Sequence, residues 1–237
     1  MLVLALDTAL DQTAVAVGDG RRIDAAAVDR MDRGHAERLF PMVEAVLREA
    51  GVSLDALDRI AVAVGPGSFT GIRIALSAAR GLGLALGKPV VGVGTLRALA
   101  ASVPERPTGP VLAAVDARRG ELYAALYGPD GTPLLAPFAA SAEAVLHAVA
   151  DRAAVAIGSG APIIGHQAVQ AGARRPELIP LAGPDPRAIA RLGATLDPAT
   201  NRPEPAYLRP PDAKPPAAIA GLLLAAAPAG PASGGRS

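Results

Sequence analysis

The sequence predicts an α/β protein of two similar lobes, and three observations carry that expectation. Residues 60–87 read as an apolar strand, a glycine turn and a nearly all-apolar helix, the unit from which α/β sheets are built. The strand-turn-strand pattern of 2–17 recurs at 111–126, each copy closing its first strand on an aspartate, Asp7 and Asp116. Between the two copies, 104–110 holds three prolines and a glycine, a composition that breaks regular structure and marks a boundary.

The elements follow in chain order. Residues 2–6 form a short apolar run of buried-strand type, 14–17 a second and 23–28 a third, with turn chemistry at Gly18-Asp19-Gly20. Residues 35–49 read as an amphipathic helix. Its apolar positions, Leu39, Phe40, Met42, Val43, Val46 and Leu47, recur at spacings of three and four, and Gly51 stands where a C-terminal cap belongs. Pro41 suggests that the regular part of this helix starts only just before it, since proline is tolerated in a first turn. A strand at 60–64, a helix from Ser68, a strand at 89–93 and a helix at 95–102 complete a first lobe, 1–103. The linker 104–110 leads to a second lobe, 111–214, in which 153–157 is a further apolar strand. The tail 215–237, rich in Ala, Pro and Gly, is expected to be disordered.

Composition narrows the function. A net charge of +1 over 237 residues argues against a strong phosphate-binding surface, so nucleic acid is not expected to be gripped by this chain alone. Without cysteine there is no disulfide framework and no thiolate metal site. The opening apolar run lacks the basic segment and length of a signal peptide. The run 217–227 falls short of the roughly 20 residues that span a bilayer. A cytoplasmic, membrane-free protein is expected.

The helix after the glycine turn departs from the usual pattern. Between Ile72 and Leu86 its polar residues are Arg73, Ser77 and Arg80, so apolar surface runs almost all the way round and needs cover on two sides. One side is its own sheet; the other is a neighbouring layer or a second molecule. Ala75, Ala79 and Gly83 at spacing four would admit another helix closely, while Ile72, Leu76 and Leu82 supply contact area, although an alanine-rich chain produces such stripes by composition. Leaving four large apolar side chains in water would forgo about 6 to 12 kcal/mol. Helices 35–50 and 69–86 are therefore expected to form a docking surface that includes Leu39, Phe40, Val43, Val46 and Leu47 of the first and Ile72, Ala75, Leu76, Ala79, Leu82 and Gly83 of the second.

Familiar catalytic templates are missing. No serine is framed as Gly-x-Ser-x-Gly, the P-loop lysine is absent, and Gly65, Gly67 and Gly71 miss the dinucleotide spacing by one residue. His35, His147 and His166 are isolated in sequence, so no metal site and no catalytic residue is assigned. A strand-glycine-helix turn can hold a phosphate, and Asp7, Thr8, Gly65, Gly67, Ser68 and Asp116 mark a weak nucleotide site. Both aspartates fit two readings: relics of phosphate and metal positions, or acceptors for turn N–H groups. The first hairpin turn, Thr8 to Gln12, holds no glycine, which makes a close phosphate cradle harder to form. Duplicated lobes with both Asp turns facing one cleft are the layout of the actin, sugar kinase and Hsp70-like ATPase superfamily, whose sheets are ribonuclease H-like. Gly158-Ser159-Gly160-Ala161 resembles that superfamily's adenosine-side loop.

One resemblance is more specific. The run from Gly65 through Arg73, Ala79-Arg80-Gly81, 85–89 and 91–93 is similar to the TsaB (YeaZ) family. Leu4-Ala-Leu-Asp7-Thr8, His35 to Pro41, Asp116 to Tyr123 and Pro205 to Arg209 agree with it in chain order, so that the likeness covers 1–214. It implies a role in the threonylcarbamoyl modification of adenosine 37 in tRNAs that read ANN codons. The chain would be a noncatalytic scaffold and activator of its paralogue TsaD, with TsaE as a further partner, ATP or ADP at the TsaD contact, and tRNA met only through the complex. The same helical surface would form a homodimer when TsaD is absent. TsaD carries two metal-binding histidines four apart where this chain has Thr95 and Leu99, and neither replaces an imidazole. The alternative is an ATP-using enzyme or a glycoprotease-like metallohydrolase working in its own interlobe cleft.

Overall fold

The computed structural model describes residues 1–105, 107–150 and 152–209; the tail 215–237 lies outside them. Two five-stranded mixed sheets repeat one plan. In the first, β1 (Val3–Asp7), β2 (Gln12–Gly18) and β3 (Ile23–Arg30) form an antiparallel meander, and β4 (Arg59–Ala63) and β5 (Val90–Val93) add in parallel beside β1, giving the order β3-β2-β1-β4-β5. In the second, β6 (Val111–Asp116), β7 (Glu121–Tyr127) and β8 (Pro133–Ser141) repeat the meander, and β9 (Val155–Ile157) and β10 (Glu177–Ile179) repeat the parallel pair, in the order β8-β7-β6-β9-β10. The echo between 2–17 and 111–126 is thus the first part of a complete structural repeat.

Helices occupy matching places. The first lobe has α1 (His35–Ala50) after its meander and α2 (Phe69–Leu86) between β4 and β5; the second has α4 (Ala142–Val149) and α5 (Ala161–Gln170) in those positions. Alternation along the strands divides the first sheet into two faces. Val3, Ala61 and Val91 point toward α6 (Pro186–Thr195), and a Cβ on Gly193 of α6 would stand 2.3 Å from that of Ala61. Small residues on both sides permit this approach. Arg59 Nη1, from the same face, donates to the carbonyls of Gly193 and Leu196 at 2.8 and 2.7 Å, closing the C-terminal turn of α6. The opposite face lies under α1 and α2.

The last helix of each half sits under the other half's sheet. The short α3 (Thr95–Ala100), grouped with the first lobe by sequence, packs on β6 and β7 and joins Leu96 and Leu99 to Val111, Ala113 and Tyr127. Conversely α6 follows the second sheet in the chain and puts Ile189 and Ala190 into the first lobe's core.

Several elements differ from expectation. α1 starts at His35, after Gly34 at φ 85°, and continues through Pro41, instead of gaining regularity only near the proline. β3 extends to Arg30. β8, α4, α5, β10 and α6 lie where the sequence suggested no element. α2 is, by length and composition, apolar enough to cross a membrane, but here its Ile72, Ala75, Leu76, Ala79 and Gly83 are buried in the first lobe.

Candidate functional site

Two aspartates mark equivalent strand ends. Asp7 Oδ1 accepts from the Ala9 N–H at 2.9 Å, and Asp116 Oδ1 accepts from the Arg118 N–H at 2.8 Å, so each carboxylate organises the turn that follows it. Their surroundings differ. Asp7 is fully buried; its Oδ2 faces Gln12 Nε2 at 3.3 Å, and that amide also donates to the Pro184 carbonyl at 2.7 Å. Burial pushes the Asp7 pKa from 3.8 up to about 6, against the opposing pull of the Ala9 and Gln12 hydrogen bonds. Asp116 is half-buried and lines an interlobe cleft of about 430 Å³ with Gly67, Ser68, Arg118, Tyr123 and Ser159. Of the six residues expected at a nucleotide site, Gly67, Ser68 and Asp116 therefore meet at one cleft; Asp7, Thr8 and Gly65 are buried and do not line it.

The glycine turn is filled by the chain itself. A Cβ at Gly67 would stand 2.2 Å from the Ala9 carbonyl oxygen, and one at Gly71 would stand 2.0 Å from that of Thr8. The Ser68 N–H donates to Ala9 O at 2.7 Å, and Ser68 Oγ accepts from the Gly71 N–H at 3.3 Å. Thr8 Oγ1 donates to Gly71 O at 2.6 Å and accepts from the Ala75 N–H at 3.2 Å. The N–H groups of Ser68 and Gly71 thus have partners within the chain, and the glycines allow the first hairpin to clamp the start of α2. That is a correction to the phosphate-cradle expectation. The second lobe uses a similar fastening, with the Gly160 N–H on Ala114 O at 3.0 Å and the Asp116 N–H on Ser159 Oγ at 3.0 Å.

His35 has a structural setting. His35 Nδ1 lies 2.9 Å from the buried Thr13 hydroxyl, and burial lowers the pKa of the imidazole. Thr95 and Leu99 are both fully buried, at the start and in the last turn of α3. Among the described residues, no three His, Asp or Glu side chains gather in a metal-binding group.

The α1/α2 surface carries a second correction. Leu39, Val43, Val46 and Leu47, like Ile72, Ala75, Leu76, Ala79 and Gly83, are buried in the monomer's own core. The nearly all-apolar α2 turned its small-residue stripe toward the sheet, where close approach to the strands favours small side chains; the Cβ position of Gly83, for example, lies 2.4 Å from Val90 Cγ2. The accessible surface is an open groove of about 730 Å³ between the helices, whose walls include Phe40, Phe69, Arg73, Ile74, Gly81 and Leu82. Phe40 is 48% exposed, and Leu84, farther along α2, is 88% exposed. Of the expected contacts, Phe40 and Leu82 remain open to a partner. Phe69, Ile74, Gly81 and Leu84 were missed, although the polar stripe Arg73, Ser77 and Arg80 marked the outward face.

One end of the groove is closed by the last described segment. Tyr207 stacks on Phe69 with centroids 5.4 Å apart, and its hydroxyl accepts from Arg73 Nε at 3.1 Å. The Arg73 guanidinium lies 3.6 Å above the Phe69 ring. Just before and after Tyr207, the Ala206 N–H donates to Val64 O, and Arg209 reaches Ala117 O at 3.1 Å and the Glu121 carboxylate.

Comparison with known proteins matches this geometry to a family. The family model described as TsaD, tRNA N6-adenosine threonylcarbamoyltransferase, matches residues 29–174. The solved structure of YeaZ from Pseudomonas aeruginosa superposes with a TM-score of 0.72 at 33% identity, covering 87% of this chain and 99% of that one. The chain belongs to the TsaB (YeaZ) family. The tRNA threonylcarbamoyladenosine biosynthesis protein TsaB of Escherichia coli is 40% identical to this TsaB-family chain over 131 residues. That match spans 55% of this chain and just over half, 56%, of the Escherichia coli protein. The actin-like ATPase fold expected for a TsaB relative is also present: the activator of 2-hydroxyisocaproyl-CoA dehydratase from Clostridium difficile shares the fold, at a TM-score of 0.51 and 12% identity.

Proposed function

We propose that this TsaB-family protein serves threonylcarbamoyladenosine formation at adenosine 37 of tRNA as a noncatalytic scaffold and activator of a TsaD-type threonylcarbamoyltransferase. The observation that carries this reading is the open apolar groove between α1 and α2, walled by Phe40, Phe69, Ile74 and Leu82. Water on such a surface is unfavourable, and an apolar helix pair of a paralogue with the same fold has the shape to displace it. The clamped glycine turn and the sealed Asp7 support a structural rather than a catalytic use of the first hairpin. In this reading the paralogue's helices occupy the groove, a second copy of this chain occupies it when the paralogue is absent, and the two assemblies exclude one another. TsaE, ATP or ADP at the paralogue contact, and tRNA join through the complex in the cytoplasm.

The interlobe cleft supports a second reading, an ATP-using enzyme or metallohydrolase, because Ser68, Asp116 and Ser159 converge on one opening. Purified protein separates the two. Modification of tRNA that needs both this chain and TsaD, and that is lost in Phe40→Asp, supports the first. Turnover by this chain alone that disappears in Asp116→Ala overturns it.

A further inference from the structure

We infer that the pocket at the ends of α3, β7 and α6 binds a small carboxylate with an apolar body, held by the Tyr127 hydroxyl and the Arg97 guanidinium. The pocket shares no lining residue with the α1/α2 groove or the interlobe cleft, so the inference goes beyond the TsaD reading and does not depend on it.

The alternation of β7 leads to this place. Tyr123, Ala125 and Tyr127 share one side of the second sheet, and Ala125 and Tyr127 join Leu96, Leu99 and Val111 in the apolar layer under α3. Tyr127 is the last residue of β7, and α3 ends at Ala100. Where both elements stop, a space of about 330 Å³ opens, walled in part by Ala100, Val103, Val111 and Leu192. That volume suits a small ligand.

Two polar groups in this space have nothing to bind. Tyr127 is 5% exposed and lines the pocket, yet its hydroxyl has no hydrogen-bond partner among the described residues. A buried phenol ordinarily finds one. Burial pushes its pKa from 10.0 up to about 12, against the opposing pull of the Arg97 charge, so the group is a proton donor at neutral pH. Arg97, from α3, lines the same pocket, and its guanidinium forms no ion pair or hydrogen bond among the described residues. A phenolic donor and a guanidinium fork in one small pocket suit a carboxylate, and the aliphatic walls cover its apolar body. Two acidic residues also border the space. Glu105 is exposed, Asp130 accepts from the Thr132 N–H and hydroxyl at 3.0 and 2.7 Å, and neither accepts from Tyr127 or Arg97. A ligand here touches both crossed helices, Arg97 of α3 and Leu192 of α6, and its binding holds the two lobes to each other.

The test uses the full chain with benzoate as the probe. The sequence has three tyrosines, so ring-labelled tyrosine gives three sets of NMR signals, and the set that vanishes in Tyr127→Phe belongs to Tyr127. Millimolar benzoate should shift that set saturably. Its affinity should fall about fivefold or more in Tyr127→Phe and about tenfold or more in Arg97→Met. Benzyl alcohol, which keeps the ring and lacks the charge, should bind about tenfold more weakly still. Binding that leaves the Tyr127 signals in place, affinity unchanged in both variants, or equal affinity for inorganic phosphate overturns the inference. The urea midpoint of Tyr127→Phe without benzoate is a separate check. It should match that of the wild type, and a lowered midpoint, which would mean that the hydroxyl is already engaged within the chain, also overturns the inference.

Discussion

Thr8 donates its hydroxyl proton to the carbonyl of Gly71, 2.6 Å away and 63 residues later in the chain. The same oxygen accepts the Ala75 N–H, so one buried hydroxyl ties the first hairpin to the first turns of α2. Thr8→Val keeps the shape and removes both bonds, and the buried Ala75 N–H loses a partner. Stability should fall by about 1 to 3 kcal/mol, read as a lower urea midpoint at unchanged slope. Thr8→Ser should recover most of it. An unchanged midpoint in Thr8→Val would show that the hydroxyl does not hold the two elements.

Asp7 makes stability depend on pH in an unusual direction. Its carboxyl has a pKa of about 6 in the fold against 3.8 ordinarily, so between those values the folded chain binds more protons than the unfolded one. Its contribution to folding is therefore fully present below about pH 4 and is lost as pH rises through 6. The loss amounts to about 3 kcal/mol. Asp7→Asn cannot ionise and should lack this component. The difference in urea stability between variant and wild type should shift in the variant's favour by that amount from pH 4 to pH 7.5, whereas a difference independent of pH contradicts the raised pKa.

The two sides of the α1/α2 layer predict opposite outcomes for one chemical change. Ala79 is fully buried against the sheet, so Ala79→Asp should destabilise the fold by about 3 kcal/mol or more. Phe40 stands in the groove at 48% exposure, and Phe40→Asp should leave the urea midpoint within about 0.5 kcal/mol while weakening partner binding about tenfold or more. Calorimetric titration and denaturation on both variants check the pair. Tight binding by a folded Phe40→Asp protein removes the groove from the interface.

Arg209 fastens the second hairpin. It reaches Ala117 O and the Glu121 carboxylate and lies 5.7 Å over the Tyr123 ring, bracing a turn in which Arg118 and Arg119 both adopt positive φ, 63° and 57°. Consecutive left-handed residues other than glycine cost about 1 to 2 kcal/mol each. Arg209→Ala should lower stability by about 1 to 3 kcal/mol and raise amide exchange at 117–121 selectively. Exchange that rises uniformly over both lobes would assign Arg209 a different role.

Elements that declare themselves by local pattern were legible before the structure. β1, β4 and β6 are short runs with apolar side chains on both faces, and the matching positions of Asp7 and Asp116 exposed the repeat because each aspartate serves its own turn. The orientation of α2 was only faintly legible, since on a helix apolar nearly all round the narrow stripe Arg73, Ser77 and Arg80 is the one mark of its outward side; close packing on small residues decided it. β8 escaped notice because it carries Pro133 and Pro137 and is largely exposed, and β10 because it has three residues. Gly67, Ser68 and Asp116 meet at one cleft in the fold, but their spacing could not reveal that backbone carbonyls of Thr8 and Ala9 already fill the room the glycines leave.

The crossed placement of α3 and α6 bears on how this molecule can move. Swinging the halves apart like a clam shell would draw Leu99 out from beneath one sheet and Ile189 out from beneath the other, stripping both floors at once. Small rotations that slide these two helices along one another keep both floors in place, so any breathing of the cleft is a shear of limited reach. Heat or denaturant should accordingly find a single cooperative body, not two halves that melt in turn.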